Sequence, residues 1–287
     1  MIGVSGGVDS VVLAHILASR DDYELILVFI DHGWRDVSQD LKMVRELASQ
    51  FSLPVHEKYL KLKTKSEAEA RAARYKVLHE AREELGAQAV LVAHHADDQV
   101  ETVILQLLRG AGRTGLNGLK SEGELLRPLL PVAKKDIMAY AKQHQLSWVE
   151  DPTNDDMHYR RNWVRSELIP RKRMKSKRFE NEVLEVMNRA VELNVRIDTE
   201  LKQMTNITPD KAQWDRLDMR RQSVDVVQEL IVYGCRQLNP EVELSARTIE
   251  QLAVDIKSGR FLRPRQLTKQ LFVQITHDKV AIAFKAQ

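Results

Sequence analysis

Apolar residues come in short unbroken runs in the first part of the chain and at helical spacing in the second. Leu25 to Ile30 is six apolar residues in a row, the pattern of a strand covered on both faces, as in a parallel sheet. Ile2-Gly3-Val4 and Ala89 to Ala93 read the same way, and Pro54-Val55-His56 begins a further strand. Helical stretches lie between them. Ser10 to Ser19 places Val11, Val12, Leu13, Ile16 and Leu17 over more than one face, Ser38 opens a helix to about Phe51, and another spans Gln99 to Arg109. Ser66-Glu67-Ala68-Glu69 is a capping box opening a helix to about Leu85, stopped by Gly86. Strands alternating with helices predict right-handed βαβ units, hence an α/β fold with a doubly wound, mainly parallel sheet.

The second half changes period. Phe179 to about Met204 and Val224 to Leu238 carry helical patterns, and Leu271 to Ile275 and Val280 to Phe284 flank a polar tetrapeptide as a hairpin. The expectation is a catalytic domain over 1–175 and a smaller, mainly helical domain over 176–287 that ends in the hairpin, with the boundary in the charged segment near Arg171 to Arg178.

Composition narrows the class. The 287 residues are 43% hydrophobic and 30% charged, ordinary for a soluble protein with a sizeable core. No run approaches the ~20 apolar residues of a membrane-spanning helix, and no secretory signal is visible. Cys235 is the single cysteine, which excludes internal disulfides and cysteine-based zinc sites and points to the cytoplasm. Charge is uneven: residues 1–158 hold 19 Lys and Arg against 24 Asp and Glu, and residues 159–287 hold 25 against 17. A mildly acidic first part joined to a basic second part suggests a catalytic region and a region that meets a polyanion.

The sharpest chemical signal is Ser5-Gly6-Gly7-Val8-Asp9-Ser10, between a strand and a helix. Glycines there let backbone N–H groups close on phosphate oxygens, and the helix N-terminus adds partial positive charge. A Walker-type loop would end in Gly-Lys-Ser/Thr. This one carries Asp9 instead, which repels phosphate unless Mg²⁺ lies between them. The plainer alternative is a glycine turn with Ser10 as helix N-cap. Asp98 and Glu101, three apart, share the first turn of a helix and suit an ammonium ion, although Asp98-x-x-Glu101 also fits a capping box. His94 and His95 follow a buried strand, where open α/β sheets place ligands, and a nucleotide or phosphate contact favours His94. Arg71 and Arg74 suit a phosphate or polarised carbonyl, or ion pairs to Glu67 and Glu69. Four glycines between Gly110 and Gly118 suit either a helix stop or a segment that closes over a reactive intermediate. Arg160, Arg161, Arg165, Arg171, Lys172, Arg173, Lys175, Lys177 and Arg178, with Tyr159 and Trp163 among them, form a basic run suited to RNA.

The hexapeptide resembles the phosphate loop of the Rossmann-like N-type ATP pyrophosphatases, which adenylate a carbonyl or carboxyl oxygen and release pyrophosphate. One cysteine does not supply the catalytic pairs or iron–sulfur ligands of the tRNA thiolase branch, and there is no room for an amidotransferase domain. Four further stretches are similar to the tRNA(Ile)-lysidine synthetase family: Asp31-His32-Gly33-Trp34-Arg35; Glu69-Ala70-Arg71-Ala72-Ala73-Arg74-Tyr75; Ala93-His94-His95-Ala96-Asp97-Asp98-Gln99-Val100-Glu101-Thr102 with Leu108-Arg109-Gly110-Ala111-Gly112; and Glu150-Asp151-Pro152-Thr153-Asn154 with Arg161-Asn162-Trp163-Val164-Arg165. They run in order over roughly Met1 to Pro170.

That resemblance implies ATP on Ser5, Gly6, Gly7, Val8, Asp9 and Ser10, with Mg²⁺ on Asp9 and free L-lysine on Asp98 and Glu101. Asp9, Arg74, His94 and Asp98 would serve catalysis. Arg161, Asn162, Arg165, Arg171 and Arg173 would contact an isoleucine tRNA with a CAU anticodon. No membrane is involved, and a homodimer is among the expected assemblies. The chain departs from larger relatives in having four residues before Ser5 and in ending after one C-terminal domain. Two other readings stay open at this point: an adenylating ligase with a small-molecule substrate, and a nucleotide-binding regulatory module without turnover.

Overall fold

The computed structural model describes residues 1–20, 22–60, 67–150, 160–240, 242–258, 260 and 262–284, with 67, 68 and 262 described by backbone alone. Ser66 of the expected capping box, Asp151 to Asn154 and Tyr159 lie outside these residues. The chain divides into two compact units, Met1–Val191 and Glu192–Gln287.

The first unit holds strands β1 (Ile2–Val4), β2 (Leu27–Asp31), β3 (Val55–Tyr59), β4 (Val90–Leu91) and β5 (Leu125–Leu126), paired in the order β3-β2-β1-β4-β5. All four neighbouring pairs are parallel. Helices α1 (Val8–Ala18), α2 (Ser38–Gln50), α3 (Glu67–Glu84), α4 (Ala96–Leu108) and α5 (Lys134–Gln143) fill the crossovers and flank the sheet. The chain steps outward from β1 to β3, then returns through α3 to lay β4 against the other side of β1. The order therefore reverses between β1 and β4, and loops leaving the carboxyl ends of these two strands border the crevice where such sheets bind ligands.

Alternation along β2 explains the layering. Leu27 and Phe29 join Ile2, Val4, Val11, Val12, Leu13, Val44, Leu47, Ile137 and Ala141 in one core, so α1, α2 and α5 share that side. Val28 points the other way, with Val90, Val92, Leu78 and Ala81 beneath α3. A strand buried on both faces has no polar positions, which is why its sequence is a continuous apolar run. Gly3 allows the close approach of α3, since a Cβ there would lie 3.2 Å from a Leu78 methyl.

Beyond the undescribed segment, α6 (Arg160–Trp163), a π-helical turn (Val164–Leu168) and α7 (Ile169–Lys175) lead to the long helix α8 (Phe179–Met204). Val164 and Ile169 pack with Val100, Ile104 and Leu105 of α4, and Phe179, Val183 and Leu184 join them. The first turns of α8 thus belong to the first unit. The division falls within α8, later than the expected 175/176, because this apolar cluster continues past the basic segment.

The second unit contains α9 (Arg216–Arg221), α10 (Val224–Leu238), α11 (Ala246–Lys257) and an antiparallel sheet. The expected hairpin, β9 (Leu271–Ile275) and β10 (Lys279–Phe284), forms two of its five strands. The order is β6-β7-β10-β9-β8, with β6 Asn206–Thr208, β7 Lys211–Asp215 and β8 Leu262–Gln266. Asp215, Ser223 and Ser245 cap the three helices by accepting from the N–H groups of Asp218, Val226 and Thr248. Gly234 sits inside α10 where a Cβ would meet the Trp214 ring at 2.4 Å. Among the described residues no helix is long and apolar enough to cross a membrane.

Candidate phosphate and carboxylate site

The loop after β1 is built by short-range contacts. Gly6 has φ +80°, and a Cβ there would lie 3.1–3.2 Å from the Asp40 backbone and Cβ, so only glycine fits this turn without strain. Asp40 is itself buried and held by both terminal nitrogens of Arg35, each at 2.7 Å. The Asp31 carboxylate accepts from Gly33 N–H at 2.7 Å, shaping the turn that delivers Arg35. The Asp31-to-Arg35 stretch therefore walls the loop from behind. Helix α1 begins at Val8 with Gly7 as N-cap, so Ser10 is not the cap. Its hydroxyl instead donates to the Gly7 carbonyl at 2.9 Å and accepts from Ser5 N–H at 3.1 Å. A glycine pair followed at once by a helix N-terminus is an anion cradle.

Asp9, in the first turn of α1, is not alone. Lys134 Nζ donates to Asp9 Oδ1 at 2.6 Å, and His95 Nε2 lies 3.8 Å from Asp9 Oδ2. Among the described residues no group of three His, Cys, Asp or Glu side chains is disposed to hold a metal. Asp9 thus fits Mg²⁺ only in the manner usual for that ion, one carboxylate shared with substrate phosphates and water.

Asp98 and Glu101 fall on the first turns of α4, close beside this loop. His95 is the N-cap, and its backbone N–H donates to Asp98 Oδ2 at 3.0 Å. Asp98 is therefore a capping residue, for a helix that starts three residues earlier than the pattern indicated. The His95 ring is buried, with Nε2 3.5 Å from Asp98 Oδ2. Glu101 is only 1% exposed. It accepts from Arg161 Nε at 2.9 Å and from Arg165 Nε at 2.5 Å and Nη2 at 3.0 Å. The same guanidiniums stand 3.8 and 3.7 Å from Asp98. Burial alone would raise the Asp98 carboxyl, but the His95 ring, Arg161 and the His95 N–H outweigh it and hold it below its ordinary value.

His94 faces the same cluster. Arg127 Nε donates to His94 Nδ1 at 3.3 Å, which leaves the proton of the neutral ring on Nε2. Burial, aided by Arg71, Arg127 and Arg161, overcomes Asp98 and pushes the imidazole down to about 3. Arg71 and Arg127 both lie over Tyr75, 5.1 and 5.9 Å from the ring centroid. On α3, Arg71 lies within reach of Asp98, Arg127 and Arg161, and burial lowers its pKa. Arg74, three residues further along the same helix, is exposed.

The basic segment is also redistributed. Arg161 and Arg165 are committed to Glu101 and Asp98, and Asn162 is buried. Arg171 and Arg173 remain exposed, paired with Glu167 and Glu180. The glycine-rich segment contains a 3₁₀ turn (Arg113–Asn117). Its end is pinned by Gln99, whose amide donates to Leu119 O at 2.7 Å and accepts from Leu119 N–H at 2.5 Å. Pattern reasoning missed Lys134, Arg127, Arg35 and Gln99 as site residues. Two signals were available: a lysine opening a helix, where a cation is disfavoured, and a lone arginine inside the apolar run Leu125 to Leu130.

A family model described as a PP-loop domain matches residues 1–172. The chain belongs to the PP-loop family. Among PP-loop relatives, it is 36% identical over 208 residues to a protein of Thermosipho africanus named tRNA(Ile)-lysidine synthase, covering 68% of this chain and 48% of that one. It is 38% identical over 176 residues to a protein of that name from Exiguobacterium sibiricum, covering 59% and 42%. The chain thus spans about half the length of these relatives. In fold it is similar to a U34-tRNA thiolase, NcsA, of Methanococcus maripaludis, with TM-score 0.56 at 15% identity over 67% of this chain and 71% of that one. The glycine loop Ser5 to Ser10 lies within the matched residues.

Proposed function

We propose that this chain uses ATP to join free L-lysine to carbon 2 of the wobble cytidine in an isoleucine tRNA with a CAU anticodon, forming lysidine. The observation that carries the reading is the adjacency of two kinds of site. His95 lies 3.8 Å from the PP-loop carboxylate Asp9 and 3.5 Å from Asp98, so a phosphate cradle and a cation-binding carboxylate share one crevice. The named relatives at 36% and 38% identity support the same substrates.

In this reading the cytidine 2-carbonyl oxygen attacks the α-phosphorus of ATP held on Ser5 to Ser10, and pyrophosphate leaves. The lysine ε-amino nitrogen, once deprotonated, attacks carbon 2 and expels AMP. Mg²⁺, held by Asp9 together with the phosphates, would neutralise charge on the departing pyrophosphate. Asp98 holds the lysine ammonium. Its lowered pKa keeps it ionised, which suits a holder better than a base. Glu101 binds Arg161 and Arg165 and offsets their charge, so that they do not cancel the charge Asp98 presents to the ammonium. His94 and Arg71 face the nucleotide intermediate, and Arg171 and Arg173 on α7 meet RNA phosphates.

The test supplies labelled lysine, labelled ATP and unmodified isoleucine tRNA. Lysine incorporated into RNA with AMP and pyrophosphate formed together is the expected result. ADP as the main product, or equal lysine incorporation into an RNA without a CAU anticodon, overturns it.

A further inference from the structure

We propose that Arg127 is a positioning residue for His94, holding that ring with Nδ1 as acceptor so that Nε2–H is the group offered to the nucleotide intermediate. The proposal rests on the reading above, in which His94 faces that intermediate, and assigns the residue that fixes the state of the ring.

Arg127 stands between Leu126 and Pro128 and is only 9% exposed. A guanidinium taken out of water is costly unless it is paired, yet its side-chain hydrogen bonds run to a carbonyl, a phenol and an imidazole, none of them a carboxylate. Nη1 donates to the Lys120 carbonyl, Nη2 to the Tyr75 hydroxyl at 3.3 Å, and Nε to His94 Nδ1 at 3.3 Å. The guanidinium also lies 5.9 Å from the Tyr75 ring centroid, and the backbone N–H donates to Ser121 Oγ at 2.8 Å. Lys120 and Ser121 follow Leu119, which Gln99 grips from α4. The fork is therefore held from Tyr75 and from a segment that is itself held, and Nε has one direction left, toward His94.

The pairing is one-sided. A guanidinium has donors and no acceptor, so the imidazole nitrogen it faces carries no proton, and the tautomer follows from the bond. Charge acts in the same sense. Arg127, Arg71 from α3 and Arg161 from α6 disfavour the imidazolium, against Asp98 of α4, which favours it. A protonated His94 would pair with Asp98 and compete there with the lysine ammonium. Held neutral, the ring leaves Asp98 to the substrate and presents an N–H donor to an oxygen of the intermediate.

Two measurements test this. The first is the ¹⁵N NMR spectrum of histidine-labelled protein without ligands near neutral pH, with His94 assigned by its loss in His94→Gln. A bare Nδ1 and a protonated Nε2 are expected, and a proton on Nδ1 overturns the proposal. The second is a double-variant cycle on lysine-dependent turnover, beside thermal unfolding of each protein. Arg127→Met should lower turnover about tenfold in the wild-type background, a coupling usual between groups in contact, and less than about twofold when His94 is already Gln. An equal loss in both backgrounds overturns the proposal and leaves Arg127 a support for the Lys120 segment. Should Arg127→Met not fold, Arg127→Lys, which keeps the charge and loses the fork, enters the same cycle with the same expected pattern. Wild type that makes no lysidine sinks the proposed reaction instead, and the tautomer, read without substrate, then decides alone.

Discussion

Arg161 donates through Nε to Glu101 Oε2 at 2.9 Å although the two lie 60 residues apart, and Arg165 closes on the other side of the same buried carboxylate. Two guanidiniums on one carboxylate make Glu101 the hub of this part of the site. Glu101→Ala removes the buried carboxylate to which both hydrogen-bond and should lower stability by ~3 kcal/mol, toward the lower end for breaking such a pair because Asp98 stays within 3.8 Å of both and Arg165 is partly exposed. Urea unfolding of the variant measures it. A change below about 0.5 kcal/mol, the scale of an ordinary surface substitution, would show that the pairs contribute little.

Asp98 separates capping from substrate binding. Asp98→Asn keeps an oxygen to accept the His95 N–H but removes the charge. The melting temperature should change little, while the KM for lysine rises about tenfold or more, the scale of losing a charged partner. Asp98→Ala should in addition cost ~1 kcal/mol of stability through the lost cap. Lysine-dependent kinetics and thermal unfolding on the same preparations check both. A normal lysine KM in Asp98→Asn assigns the residue to capping alone.

Asp9→Asn should reduce turnover at least ~100-fold, on the scale of removing one electrostatic stabiliser of the transition state. The circular dichroism spectrum should be unchanged, since Asp9 contributes no bond to the loop's own Ser5–Ser10 framework. Near-normal turnover in Mg²⁺ would reduce Asp9 to a partner for Lys134.

His94 gives a pH signature. The unfolded imidazole takes up a proton near its ordinary 6.5, whereas the folded one does so only near about 3. Between those values the unfolded state holds more protons, so stability falls as pH falls through the window. Asp98 also loses stability in acid, but only below its ordinary 3.8. In denaturant unfolding over pH 6.5 to 4, His15, whose imidazole is also lowered by burial, adds a slope of the same sign, so the share of His94 is the part that its replacement removes. The slope should flatten in His94→Gln, and an unchanged slope refutes the buried neutral ring.

In the second unit, Gly234→Ala should destabilise, against the helix propensity that favours alanine by ~1 kcal/mol. The new Cβ would enter the Trp214 ring and approach Ala212 Cβ at 3.0 Å, an overpacking cost of ~1–3 kcal/mol. Chemical denaturation reads the sign directly. Replacing Trp214 by Leu in the same chain should recover part of the loss.

Much of the first unit was legible because its signals are local. A parallel strand covered on both faces must be apolar throughout, and a phosphate-binding turn must be glycine-rich, so Leu25 to Ile30 and Ser5 to Ser10 announce themselves. β5, with two residues, and β6, with three, are too short to carry a period. β8 reads Leu-Arg-Pro-Arg-Gln and is tolerated as a strand only because it lies at the sheet edge, where Pro264 need not donate to a neighbour.

The sequence by itself determined the βαβ order, the glycine turn with its helix N-terminus, and the presence of carboxylates on the first turns of α4. All of these depend on residues a few positions apart. Only the tertiary structure decided who answers those charges. Lys134 is 125 residues from Asp9, Arg165 is 64 from Glu101, and Arg127 is 33 from His94. The return of the chain through α3 to set β4 beside β1 brings these partners together. The packing of α4 against Val164 and Ile169 turns Arg161 and Arg165 inward to carboxylates, although their spacing in a basic run suited RNA. Charge pairing is satisfied by whichever opposite charge the packed elements bring within about 4 Å, and nothing in local periodicity encodes that distance.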